Sequence, residues 1–129
     1  MFEKLEILKL AHGMATHAAT RQSVLARNIA NADTPGYRAR DLPSFAATYH
    51  QRPDTFDMRE TRAGHLVAAT GRTPPEIGQI VRGAETAPNG NSVSLEVEMA
   101  KSAETQAQHD MALSVYKSTL GILRSSLGR

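Results

Sequence analysis

The sequence has no cysteine and no tryptophan. Disulfides, thiolate metal sites and thiol nucleophiles are thereby excluded. Aromatic residues occupy only 5% of the 129 positions, so the large side chains that dominate an ordinary core are scarce. Much of the 40% apolar fraction is alanine, which buries little area. A core drawn from one copy of the chain would be thin. Charge of one sign is lacking too. The formal net charge is +2, and the basic residues are scattered. No dense patch is available to track phosphates, so nucleic acid is not an expected partner. No apolar run approaches the length that spans a bilayer. The opening Met1-Phe2-Glu3-Lys4-Leu5-Glu6 lacks the basic and apolar regions of a secretory signal. A cytoplasmic protein, or one exported without cleavage, is expected.

The parts of a catalytic site are also missing. His12 and His17 are five apart and do not share a helix face, and His50, His65 and His109 stand alone. No spacing supports a metal site. Glu96 and Glu98 are two apart, read as first-turn charges of a helix rather than an acid–base pair. The serines lack a nucleophile-elbow context, and no glycine-rich loop precedes a helix. The expectation is no enzyme, no catalytic residue, no cofactor, no metal and no small-molecule substrate.

What is present is two long helical arms around an irregular centre. The first arm runs from Phe2 to Ala32, about 45 Å at the helical rise. Its seam reads Leu8, Ala11, Ala15, Ala18, Gln22, Leu25, Ile29, Ala32, with spacings of three and four as in a coiled coil. The second arm runs from Leu95 to Leu127, with Ser94 as expected N-cap and Arg124 and Gly128 as stop signals. Its seam reads Leu95, Met99, Ser102, Gln106, His109, Leu113, Tyr116, Leu120, Leu123, Leu127. The middle of that seam is polar, and a row of small residues, Ala100, Ala103 and Ala107, runs beside it. A helix with apolar character on several faces has several neighbours. The fold class expected is mainly α, with the two arms paired as an antiparallel coiled coil. Leu25 and Ile29 then face Leu95 and Met99 at the end nearest the centre. Residues 1–32 and 92–129 form the paired-helix domain, and residues 33–91 form a central loop segment. That centre holds all six prolines, and short strands are conceivable at His65–Ala68 and Gln79–Val81.

The junction of the first arm with the centre reads Leu25-Ala26-Arg27-Asn28-Ile29-Ala30-Asn31-Ala32-Asp33-Thr34-Pro35-Gly36-Tyr37. Pro35 pushes Thr34 out of the helical region. Pro-Gly suits the central positions of a type II turn. Asn31, Asp33 and Thr34 can bond backbone groups freed by the ending helix. Tyr37 offers a ring with a polar tip. Asn28 and Asn31 are expected to hold their amides free to bridge to a neighbour.

This segment resembles the signature of the flagellar axial proteins, in which an N-terminal helix ends in Asn-Ile-Ala-Asn-Ala-x-Thr-Pro-Gly-Tyr. Arg38-Ala39-Arg40-Asp41-Leu42-Pro43-Ser44-Phe45 and the far segment from Asn89 to Lys101 narrow the resemblance to the proximal rod proteins of the basal body. Ser94 stands where that family commonly has Asp, and the larger inserted domain of distal rod and hook relatives is missing. The resemblance covers both arms and is weak in the centre. It implies a subunit exported through the flagellar channel without signal cleavage, which polymerises in the periplasm as a tube lined by paired terminal helices. It implies a rod linking the membrane ring and export gate to the distal rod and transmitting torque. The implied partners are other copies of the chain, other rod proteins, and membrane-ring adaptor and export-gate proteins. Asn28, Asn31, Asp33, Thr34, Pro35, Gly36 and Tyr37 are then the assembly motif. Two competing readings are a sister proximal rod protein, which the Arg40-Asp41-Leu42 run and the entry to the C-terminal helix disfavour, and a coiled-coil export adaptor or chaperone, which has no need of Thr-Pro-Gly-Tyr.

Overall fold

The computed structural model describes residues 2–50, 79–80 and 85–128. Among these the order is α1 (Phe2–Ala30), β1 (Arg40–Asp41), α2 (Phe45–His50), β2 (Gln79–Ile80) and α3 (Leu95–Ser126). The molecule is mainly helical, and its framework is the packing of α1 on α3. Asn28 of α1 meets Glu98 of α3, and Gln22 meets Ser102, so contacts descend α1 as they ascend α3.

The helix ends differ slightly from the sequence reading. α1 stops at Ala30, two residues short of Ala32, because the chain already turns through Asn31 to Asp33. α3 ends at Ser126, and the Leu127 amide closes the last turn onto Leu123 and Arg124 carbonyls. Ser94 has the extended backbone of an N-cap, but its hydroxyl makes no capping bond. Its carbonyl instead accepts from the Glu98 amide. The stretch after the first turn is more ordered than a loop. β1 pairs antiparallel with β2, Arg40 opposite Ile80 and Asp41 opposite Gln79. The six-residue α2 lays Phe45 edge-on against His17 of α1, ring centroids 5.7 Å apart, and His17 bonds the Pro43 carbonyl oxygen. β2 falls inside the expected 79–81 stretch; the expected strand at 65–68 lies outside the described residues.

The buried surface is small and largely made of small residues. α1 contributes Ala11, Ala18, Val24, Leu25 and Asn28, and α3 contributes Glu98, Thr105, Ala112 and Thr119. On α1 the seam read from sequence includes Ala11, Ala18 and Leu25 of this core, with Leu8 and Ile29 half-buried beside them. On α3 the buried line is rotated by one position from the expected one. Glu98, Thr105, Ala112 and Thr119 lie inside at seven-residue spacing, whereas Leu95, Met99, Leu120 and Leu127 are exposed, and Leu113, Tyr116 and Leu123 are half-buried. The physical reason is size. Alanines on α1 are matched by alanine and threonine on α3, and the threonine hydroxyls are satisfied on their own helix. Thr105 donates to the Lys101 carbonyl and Thr119 to the Val115 carbonyl.

Candidate assembly site

The motif at the end of α1 folds as its chemistry demands. Gly36 has φ of 72°, and the Tyr37 amide donates to the Thr34 carbonyl. That combination is the hydrogen-bonded turn with positive φ at its second central position that Pro35-Gly36 suits. Asp33, Thr34, Pro35 and Gly36 are exposed, and Tyr37 is half-buried.

A second turn, Ala87 to Asn91, is fitted onto the first. The Gly36 amide donates to the Asn89 carbonyl, and the Ser92 amide donates to the Tyr37 carbonyl. The Ala39 amide donates to the Ser92 hydroxyl. Gly90 has φ of 80°, and a Cβ there would sit 3.4 Å from the Gly36 Cα. Gly90 therefore packs its backbone against that of Gly36, and both take the left-handed conformation that glycine favours. Asn91 fastens them. Its buried amide donates to the carbonyls of Asn31, Ala32 and Thr34 at 3.0, 2.6 and 2.9 Å, and its Oδ1 accepts from the Val93 amide. Those carbonyls belong to the turn that follows α1; those of Asn31 and Thr34 also accept from the Thr34 and Tyr37 amides, and that of Ala32 has Asn91 as its donor. Asn91 was not singled out in the sequence. The turn-forming run Ala87-Pro88-Asn89-Gly90 signals a bend, but not that the next side chain reaches back some sixty positions.

Asn28 is fully buried. Its Nδ2 donates to the Arg40 carbonyl at 2.6 Å and to Glu98 Oε2 at 2.7 Å. Its Oδ1 accepts from the Arg40 amide at 3.1 Å and the Tyr37 hydroxyl at 3.4 Å. Asn31 donates to the Arg27 carbonyl and accepts from the Thr34 hydroxyl. Contrary to the sequence expectation, neither amide is held free for a neighbour: Asn28 is used to join α1 to β1 and α3, and Asn31 to cap the turn that follows α1. Glu98, read as a first-turn charge, is 2% exposed. It sits between Asn28 and Lys101 Nζ, which is 3.1 Å from Oε1.

Lys101 extends this chain of polar contacts to Asp41, 3.5 Å away. Asp41 takes a two-pronged hydrogen bond from Arg21, at 2.9 and 3.1 Å. Two cations and two anions thus join α1, β1 and α3. Burial pushes the Asp41 carboxyl up, but the Arg21 hydrogen bond and charge, the Leu42 amide and the Lys101 charge together outweigh it and hold it below its ordinary value. The hydrogen bond to Asp41 holds the Arg21 guanidinium above its ordinary value. Nothing in this arrangement resembles a reaction centre. Among the described residues no group of three or more His, Asp and Glu is placed to hold a metal ion, and no helix is long and apolar enough to cross a membrane.

Residues 11–38, which span most of α1 and the whole turn, match the family model described as flagella basal body rod protein. The flagellar basal body rod protein FlgB of Agrobacterium fabrum is 34% identical over 122 residues, covering 90% of this chain and 88% of the relative. The chain belongs to the FlgB family of flagellar basal body rod proteins. The relative in Salmonella typhimurium is 34% identical over 109 residues, covering 79% of this chain and 78% of its own. That in Escherichia coli is 32% identical over 137 aligned positions, covering 97% and 99%. This is a family of structural rod proteins, not of enzymes. The match takes in the start of α3 as well as the turn, so both halves of the interlocked junction lie within the shared region.

Proposed function

We propose that this chain is a structural subunit of the proximal rod of the flagellar basal body. In this reading α1 and α3 form an antiparallel coiled coil, and copies of it pack with other rod proteins into a periplasmic tube after export without signal cleavage. The tube links the membrane ring and export gate to the distal rod and passes torque between them. The turn from Asn31 to Tyr37, locked by Asn91, fixes the angle at which the centre leaves the helix pair.

The observation that supports assembly is the outer surface of α3. Leu95, Met99 and Leu120 are exposed along one flank of that helix, Val97, Met111 and Ile122 along the other, and Leu127 just beyond its end. Large apolar side chains along solvent-facing flanks of a helix mark surfaces that other chains cover. A strain lacking the gene, complemented with a tagged copy, tests the reading. The expected result is a non-motile deletion strain, restored swimming on complementation, and the tagged chain in purified basal bodies. Normal swimming in the deletion strain, or basal bodies without the chain, would overturn it.

A further inference from the structure

Three arginines stand around the motif without a carboxylate. Arg27, Arg38 and Arg40 are exposed, and none makes an ion pair among the described residues. Arg27 and Arg40 line a pocket of about 310 Å³ together with Val24, Asn31 and Tyr37, and no acidic residue contributes to its wall. Unpaired guanidiniums beside a valine, an asparagine and a tyrosine suit a carboxylate.

The chain carries such a carboxylate itself. The first half of α3 exposes Glu96 and Glu104 beside Val97 and Ala100. Glu96 makes no ion pair and no side-chain hydrogen bond among the described residues, while Glu104 accepts only from Gln108 of its own helix at 3.2 Å. Glu96 and Arg27 lie at the same end of the helix pair, because Asn28, one residue after Arg27, bonds Glu98, two residues after Glu96; Glu104 lies further along, at the level of Arg21, whose charge it supports. Arg27 and Glu96 therefore come within about one helical turn of each other in height when two copies stand side by side and point the same way.

We infer that the Arg27–Arg40 pocket of one subunit receives Glu96, at the start of α3, from a second copy. This deepens the rod reading and rests on it. The contact is heterologous: each copy offers a basic pocket to one neighbour and the Glu96 carboxylate to the other. Such contacts propagate around a ring or along a helix rather than closing as a pair.

The test is a charge swap in the complemented deletion strain. Juxtaposed like charges cost enough to lower rod yield by about tenfold or more. Arg27→Glu alone and Glu96→Arg alone should each show that loss, and the two together in one chain should recover most of it. The absence of native cysteine allows a second measurement that does not depend on recovery. Strains co-expressing an Arg27→Cys chain and a Glu96→Cys chain should yield a crosslinked dimer from oxidised basal bodies, and neither chain alone should. Singles that swim normally, or a double variant no better than the singles in basal bodies that give no mixed crosslink, would overturn the inference. In the second case the pocket faces a different rod protein. Failure of the rod reading itself would look different, since the wild-type chain would then be absent from basal bodies.

Discussion

At the scale of single residues the subunit is held by a few polar side chains rather than by a large apolar core. Asn91 has two amide hydrogens shared among three carbonyls in the turn that follows α1. Asn91→Ala removes these bonds and strands the Ala32 carbonyl, at a cost of about 1–3 kcal/mol. Circular dichroism of the purified variant should show lower helix content than the parent at equal concentration, while Ser114→Ala, at an exposed helix position, should match the parent. Asp41 gives a pH signature. Its folded-state carboxyl sits below the ordinary value of 3.8, so the folded state binds its proton less readily than the unfolded one. The stabilisation is complete above 3.8 and drains away as pH falls through the folded-state value. Parent and Asp41→Asn should therefore differ in helix content at neutral pH and converge in acid. A difference that stayed constant to the lowest pH would mean that the Arg21–Asp41 pair contributes nothing through its charge.

The elements show what the sequence could and could not reveal. The two long helices, their lengths and the α1 seam were legible, because leucine and alanine repeat at coiled-coil spacing and the Pro35-Gly36 pair enforces a stop. The inner face of α3 was not legible. Periodicity weighs leucine and methionine as core residues, yet Leu95, Met99 and Leu120 face outward and Glu98, Thr105 and Thr119 face α1. A seam facing small alanines takes small residues, and a carboxylate enters it only because Asn28 and Lys101 supply its hydrogen bonds. Neither partnership leaves a mark in local sequence: one spans seventy positions, and the other reads as an ordinary surface pair. The turn was legible, and its positive-φ glycine was expected from the Pro-Gly pair. Its partner turn was not, since Gly90 beside Gly36 is a long-range contact. Gly36→Val should cost about 1–3 kcal/mol in backbone strain, although a side chain there has open space around it. The expected phenotype is an expressed protein with absent or short rods. Normal swimming would reduce the turn to a helix stop.

For the whole molecule, the division between what is buried in one subunit and what is left outside implies two separable kinds of leucine. Leu25 is 0% exposed and Leu120 is 43% exposed, although both stand on the heptad seams of their helices. If the second seam were part of the subunit core, truncating either leucine would damage the fold alike. If it is an assembly surface, the effects divide. Leu25→Ala opens a cavity between α1 and α3, and such truncations cost about 2–5 kcal/mol. A chain with so thin a core has little reserve, so helix content and steady-state level should both fall. Leu120→Ala removes methyl groups that are largely in water already, so the isolated variant should match the parent in both. Its loss should appear only where another chain covers that face, as fewer rods per cell. Measuring helicity of the purified variants and counting basal bodies by electron microscopy places each variant on both axes. Equal loss of helicity in both variants would return Leu120 to the subunit core, and full rod counts with Leu120→Ala would remove this position from the assembly surface.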